Sequence, residues 1–548
     1  MTPDLILHNA RVLTMDNDAP RAEAVAVAGN RILAVGSDAD MLVLAGPVTR
    51  IVDAQGGTLL PGFVESHLHL FSGAYGQTLL QLGGVTGFDA MNAAVAQFAA
   101  SKPTEGLLFA QGADYEILGA GQRLDRHILD AMCPDRPLAV MAFDFHTLFA
   151  NTAALTAAGL LQGRTLPAGN EVVMGPDGLA TGELREKFAL LPVLHLRTSG
   201  GREMLGMSGI EPPIPPTAQE WHDDVEVLKT GLRYLASHGI TSAHNMDGNR
   251  HLLDLLRDVE AQGGLLTRVE VPFHLTREMP LSELDRASVM ARDFASDRLR
   301  CTRVKIFVDG VIESGTAALL DDYADRPGHK GDLIFDADSF RAAAIEVDRR
   351  GLGITVHAIG DAAVHITLNG YEAAQVANGK RDSRHRIEHI ELIAPTDIPR
   401  FAELGVIASM QPLHAATKPG PATESIGPNR AHLHCPWRAL TDTGADFAFS
   451  SDWPIVPVPP LISIQAAMTR QPWFDGPDQR LTLQQVLEAY TWRGSYAGFM
   501  EAQTGRIRPG MLADLVLLSG DIEAVAHDQI ASLAPVLTVC DGRITHEA

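Results

Sequence analysis

His67 and His69 stand one residue apart at the end of an apolar run, "GFVESHLHL". Alternation along a strand puts both imidazoles on one face, where they can share a metal ion. By itself such a pair is as well explained by exposed or hydrogen-bonded histidines. Four more residues fall inside or at the ends of later apolar runs. Lys305 lies inside "VKIFVDG", and lysine is almost never fully buried unless paired, for instance with Asp309. Desolvated, its amine becomes partly neutral and nucleophilic. It could then capture carbon dioxide as a carbamate, whose two oxygens can bridge two metals. His357 closes the apolar run of "GITVHAIGD", His389 that of "HRIEHIEL", and Asp452 that of "FAFSSDWP". Singly, each histidine reads as a satisfied core residue and the aspartate as a turn cap. Together they form a set whose imidazole and carboxylate groups suit zinc, with manganese, iron or cobalt as alternatives.

These residues need strands to position them. Eight β-type runs end in polar residues: "GFVESHLHL", "GITSAHNM", "RVEVPFHL", "TRVKIFVDG", "GITVHAIGD", "HRIEHIEL", "GVIASMQP" and "DFAFSSDWP". Helical patterns with apolar residues at i, i+3 and i+4 lie between most of them. The alternation predicts a (β/α)8 barrel across 61–499, with the polar strand ends gathered at the mouth. An open doubly wound sheet would carry a glycine-rich phosphate turn after its first strand, where this chain has His-Leu-His. Residues 72–220 exceed what one connecting helix needs and read as an α/β insertion after the first barrel strand. The Pro-rich "GIEPPIPPTAQE" reads as the return to the barrel. Short strands at both ends, with Gly-Asn, Gly-Gly and Asp-Gly turns, predict a small β-sandwich domain built from 1–60 plus 500–548.

The chain has 548 residues, 46% of them hydrophobic and 20% charged, which fits a globular enzyme and not a disordered chain. A formal net charge of −23 argues against a nucleic-acid partner. Four cysteines without a Cys-x-x-Cys pair imply no disulfide framework and fit a reducing cytoplasm. No apolar run is long enough for a membrane span, and no signal peptide is evident. Oligomeric state stays open, a homodimer being the commonest assembly by base rate.

The motif set resembles the amidohydrolase superfamily and, within it, the amidohydrolase-3 (YtcJ-like) family, which includes N-substituted formamide deformylases. "LILHNARVLTMD", "GGTLLPGFVESHLHL", "KIFVDGVIESGTAAL", "TVHAIGDAAV", "RIEHIEL", "SSDWPIVPVPPL" and "TGRIRPGMLADLVLL" carry the likeness along nearly the whole chain. The resemblance implies a metal-dependent hydrolase of a non-peptide carbon–nitrogen bond in a small molecule, working through metal-activated hydroxide. It implies two zinc-type ions. His67, His69 and Asp452 would hold the inner one, His357 and His389 the outer one, and carboxylated Lys305 would bridge them. Asp452 would also serve as general base and then acid. Tyr115, His146 and His244 are weaker candidates for binding the substrate's developing oxyanion. Asp361 follows His357 without the His-x-x-Glu of adenosine-type deaminases, which favours two-metal hydrolysis. The loop "DGVIESGTA" departs from the deformylase-like pattern, so substrate identity does not transfer. Two alternatives stand beside this reading: an ester, lactone or phosphoester hydrolase on the same site, and a catalytically silent binding protein with the same fold.

Overall fold

The computed structural model describes all residues except 103–105, 120, 144–146, 167–169, 416–419 and 473–475. The chain divides into two compact units. One comprises Met1–Leu70, Gly206–Glu211 and Gly231–Ala548; the other comprises Phe71–Leu205 and Pro212–Thr230.

In the first unit, each of the eight predicted runs forms strand. Together with one short strand outside those runs, Leu299–Arg300, they make ten segments: β1 Phe63–Leu68, β2 Ile240–Asn245, β3 Arg268–Glu270, β4 Phe273–His274, β5 Leu299–Arg300, β6 Arg303–Phe307, β7 Gly353–Ala358, β8 Arg386–His389, β9 Ile407–Met410 and β10 Phe447–Phe449. The run "RVEVPFHL" is split between β3 and β4 around Val271 and Pro272, the latter having no N–H to give to a ladder. Every pairing is parallel: β1 with β2, β2 with β3 and β3 with β5. The series continues from β4 through β6, β7, β8 and β9 to β10. The end returns to the start, because Leu68 bridges Trp453 in parallel. Asp452 N–H donates to the His67 carbonyl at 2.9 Å, and His69 N–H to that of Trp453 at 2.7 Å. Parallel strands point all their C-terminal ends the same way, which gathers the polar strand ends.

Two of the connecting helices start where the sequence offers a cap. Asn249 accepts from Leu252 N–H at the head of Arg250–Ala261, and Asp336 from Ser339 N–H at the head of Ala337–Arg349.

Both chain ends share two further sheets. One runs in the order Arg31–Gly36, Ala24–Ala28, Leu5–His8, Arg50–Asp53. The other runs Arg543–Glu547, Pro535–Cys540, Leu515–Leu518, Thr58–Pro61, Arg11–Leu13, Arg21–Ala22. Leu5, Leu7, Val25 and Val27 of the first share one apolar core with Leu59, Leu515, Leu517 and Val539 of the second. The Asp-Gly turn forms as its residue types require, Asp541 and Gly542 both taking positive φ (54° and 73°) between paired Cys540 and Arg543.

The second unit holds a six-stranded mixed sheet ordered Glu171–Met174, Ala180–Arg185, Thr147–Ala150, Leu138–Ala142, Leu108–Ala113, Leu80–Gln81. Strand alternation feeds two cores. Leu108, Ala110, Leu138 and Val140 pack with Met91, Val95 and Leu129. Phe109, Ala139 and Met141 pack with Leu155, Leu190 and Val193.

All four cysteines are buried and unpaired. Among the described residues, no helix is long and apolar enough to cross a membrane.

Candidate metal centre

His67 lies in the last turn of pleat of β1, and His69 follows that strand. Their Nδ1 atoms are each tied to a buried carboxylate, His67 to Glu388 and His69 to Asp247, both at 2.7 Å. A carboxylate on Nδ1 fixes the proton there and leaves Nε2 with its lone pair free for a metal. Both Nε2 atoms converge on one oxygen, Asp452 Oδ1, at 3.2 and 3.1 Å. That oxygen is buried and makes no well-aligned hydrogen bond. Two ring lone pairs facing a carboxylate oxygen repel unless a cation lies between them. Burial opposes charge on His69, yet Asp247 and Asp452 together raise it to about 10, so the bare pocket draws even a proton strongly.

His389 and His357 complete the cluster. The rings of His67 and His389 lie 4.9 Å apart, and those of His357 and His389 4.6 Å. His67, His389 and Asp452 each offer a ligand atom within 4.8 Å of the others. Burial, aided by Lys305, pushes His357 down to about 3, and burial holds His389 far below its ordinary value, so both are neutral. Asp452 is held well below the carboxylate range: burial acts the other way, but His67 and His69 outweigh it. His389 and Asp452 sit at positive φ, 75° and 67°, a conformation costly for residues with side chains. Gln411 steadies the first, its Oε1 lying 2.9 Å from His389 Nδ1 while its Nε2 donates to Ser450 Oγ.

Lys305 is fully buried, and among the described residues its Nζ has no hydrogen-bond partner. Burial lowers it to about 8 against the pull of Glu388 and Asp452. Asp309 does not pair it. That carboxylate accepts the N–H groups of Ala318, Ile359 and Gly360 at 2.8–3.0 Å, tying the segment after β6 to the loop after β7. Asp361 accepts from Leu320 N–H at 2.8 Å and is likewise a loop tie.

These observations fit divalent metal: neutral imidazoles, an ionised carboxylate, an unpartnered buried amine and tied second nitrogens. Of the three weaker candidates, two lie among the described residues. His244 Nδ1 receives Arg386 Nη1 at 3.0 Å, away from the ligand cluster. Burial takes it down to about 3, making it a neutral acceptor. Tyr115 belongs to the second unit and donates to Thr147 Oγ1 at 2.7 Å. His146 lies outside the described residues.

Several residues beside the cluster carry no mark in the sequence that singles them out. Glu388 holds His67 and is itself held by Arg386 and by Thr355 Oγ1. His414 stacks on His389 at 5.6 Å, nearly parallel, with Nε2 3.6 Å from Asp452 Oδ2. Glu391 lies 3.6 Å from both His414 and His434. His274 ends β4, and burial, aided by Lys305, holds it down at about 4. Only His414 and His274 had a partial signal: each is a histidine just after or at the end of a β-type run.

Residues 50–546 match the model of the amidohydrolase family. Among similar proteins, a putative amidohydrolase YtcJ of Bacillus subtilis is 28% identical, with 99% of each chain covered. An N-substituted formamide deformylase of Arthrobacter pascens is 24% identical over 99% of this chain and 98% of its own. The crystal structure of a metal-dependent hydrolase from Pyrococcus furiosus superposes with a TM-score of 0.75 at 25% identity, covering 94% of this chain and 99% of that one. Family match, fold and a buried imidazole–carboxylate cluster agree: the chain belongs to the amidohydrolase family, in its YtcJ-like branch, as an α/β metal-dependent hydrolase.

Proposed function

We propose that this hydrolase cleaves a non-peptide carbon–nitrogen bond of amide type in a small molecule. The observation that carries the reading is the convergence of His67 Nε2 and His69 Nε2 on Asp452 Oδ1, with neutral His389 and His357 and unpartnered Lys305 beside them. The likeness to a formamide deformylase supports the choice of bond. We read the returning series of parallel strands as a (β/α)8 barrel over 61–499. The shared terminal sheets would be a β-sandwich domain of 1–60 plus 500–548, and 72–220 an insertion.

His67, His69 and Asp452 would hold one metal, His357 and His389 a second, and Lys305, carboxylated, would bridge them. Zinc suits this donor set best. When bound, such ions lower the pKa of water and polarise a carbonyl. The protein's own part is proton handling and orientation. Asp452, kept ionised, takes the proton of the attacking water and returns it to the leaving nitrogen. Glu388 and Asp247 keep the two β1 imidazoles in one tautomer and one orientation. Unpaired buried cysteines fit a reducing compartment such as the cytoplasm.

The test is metal quantification with a panel of N-formyl, N-acyl and cyclic amides set against esters and lactones. Stoichiometric zinc, amide turnover and a loss of about 10²–10⁴ in kcat for Asp452→Asn are expected. Turnover of esters or lactones alone would move the reading to the other bond, and a metal-free, inactive protein would sink it.

A further inference from the structure

The hydrogen-bond acceptors around the cluster deepen the amide-bond reading, and the role of any one of them in selecting an amide rests on it. His274 ends β4 with its Cα in register with Lys305. Its Nδ1 lies 3.2 Å from the Gly206 carbonyl, which can only accept, so Nδ1 carries the ring proton. The carbonyl is fixed in turn, taking the Gly248 N–H at 3.0 Å. The packing there demands glycine. A Cβ on Gly206 would stand 2.7 Å from Asp247 Cβ, and one on Gly248 2.4 Å from the Pro272 carbonyl oxygen. The tautomer of His274 is therefore built into the backbone beside the carboxylate that holds His69.

With the proton on Nδ1, Nε2 of the neutral ring is an acceptor, and it has no hydrogen-bond partner among the described residues. The ring lies 5.3 Å from that of Phe307, tilted by 32°, and Phe307 lies 4.8 Å from His357, tilted by 34°. Phe307 is only half-buried, and Lys305 Nζ sits 4.6 Å from its centroid. An unfilled acceptor thus stands on an aromatic shelf that runs to one candidate metal ligand.

We propose that His274 is a specificity-determining residue whose Nε2 accepts the N–H of a secondary amide, with the apolar group on that nitrogen or acyl carbon lying against Phe307. An ester oxygen or a fully substituted nitrogen brings no N–H and leaves the acceptor unpaired. Sites built around one hydrogen bond reject the analogue that lacks it.

The test uses a matched pair of tetrahedral analogues, a phosphonamidate (P–NH–R) and the phosphonate ester (P–O–R), with R benzyl. Binding to the zinc-loaded full chain is measured by calorimetry for the wild type, His274→Phe and His274→Gln. The wild type is expected to bind the phosphonamidate about tenfold or more tighter. His274→Phe keeps the aromatic packing, so it should bring the ratio near one without weakening the ester. His274→Gln restores an acceptor and should keep part of the preference; a ratio near one there counts against hydrogen bonding as the cause. A ratio near one in the wild type, no binding of either ligand, or equal weakening of both by His274→Phe in a variant that melts like the wild type overturns the proposal. Binding is read without turnover. Ester-only turnover in the substrate panel would therefore reject the amide reading without bearing on this ratio.

Discussion

At the scale of single residues, the candidate ligands are set by their partners as much as by themselves. His69 qualifies as a candidate ligand because Asp247 holds its Nδ1 and turns Nε2 toward Asp452. Asp247→Asn should keep the shape and lose the anionic hold. Metal affinity, measured by chelator competition, should fall about 10–100-fold, while the thermal unfolding of the metal-free protein changes little. An unchanged affinity would mean that Asp247 only packs. The six proposed ligands were legible in the sequence because each is a polar residue inside or at the end of an apolar run, a local pattern. Glu388, Asp247 and Gln411 were not, and His414 only in part, since their meaning depends on which strand lies next to which. Glu388 precedes a proposed ligand by one residue and looks like an ordinary strand glutamate, yet its carboxylate bonds a histidine 321 positions away. Asp309 misleads for the same reason. It stands four residues from Lys305 in sequence, but folds back to bind backbone amides of three loop residues.

At the scale of elements, the parallel strands and the terminal sheets are joined by a charged tie. Arg268 of β3 is buried and reaches both carboxylate oxygens of Asp514 at 2.7 and 3.1 Å, and Asp541 at 3.0 Å. Asp514 precedes the strand Leu515–Leu518, and Asp541 is the first residue of the Asp-Gly turn. Breaking such a pair from one side strands the other charges in low dielectric, at about 3–5 kcal/mol. Arg268→Met should therefore lower the melting temperature clearly, and Arg268→Met with Asp514→Asn should recover part of the loss. A single variant melting with the wild type would show that the tie carries no stability. The strands at both ends were foreseeable from alternation and turn residues, and the Asp-Gly turn formed where its residue types place it. The tie was not foreseeable, since nothing local to "TRVEVPF" says that its arginine meets residues 246 and 273 positions later.

At the scale of the whole molecule, a chain of net charge −23 encloses a buried cationic belt. Arg303 and Arg386 are among its largest fully buried side chains. Glu270 faces that belt: Arg303 Nε lies 3.1 Å and Arg300 Nη2 3.9 Å from its carboxylate, Thr302 Oγ1 donates to it, and His244 and Cys301 lie nearby. Burial favours protonating Glu270, but Arg303 and Arg300 outweigh it and hold the carboxyl at about 2, against an ordinary 4.5. A carboxyl lower in the folded than in the unfolded chain stabilises the fold above the unfolded value, and that stability fades as the pH falls through the folded one. The difference amounts to about 3 kcal/mol. The surface works the other way, because acidification from neutral pH removes negative charge and relaxes self-repulsion. Absolute stability against pH therefore mixes two opposing slopes, and comparison with Glu270→Gln separates them. The surface term, and any metal lost on acidification, is common to both proteins and cancels. The gap in urea midpoint between wild type and Glu270→Gln should be flat from pH 7 to about 4.5, then narrow steadily toward pH 2. A gap constant across that range would mean that Glu270 acts through packing, with its charge contributing nothing.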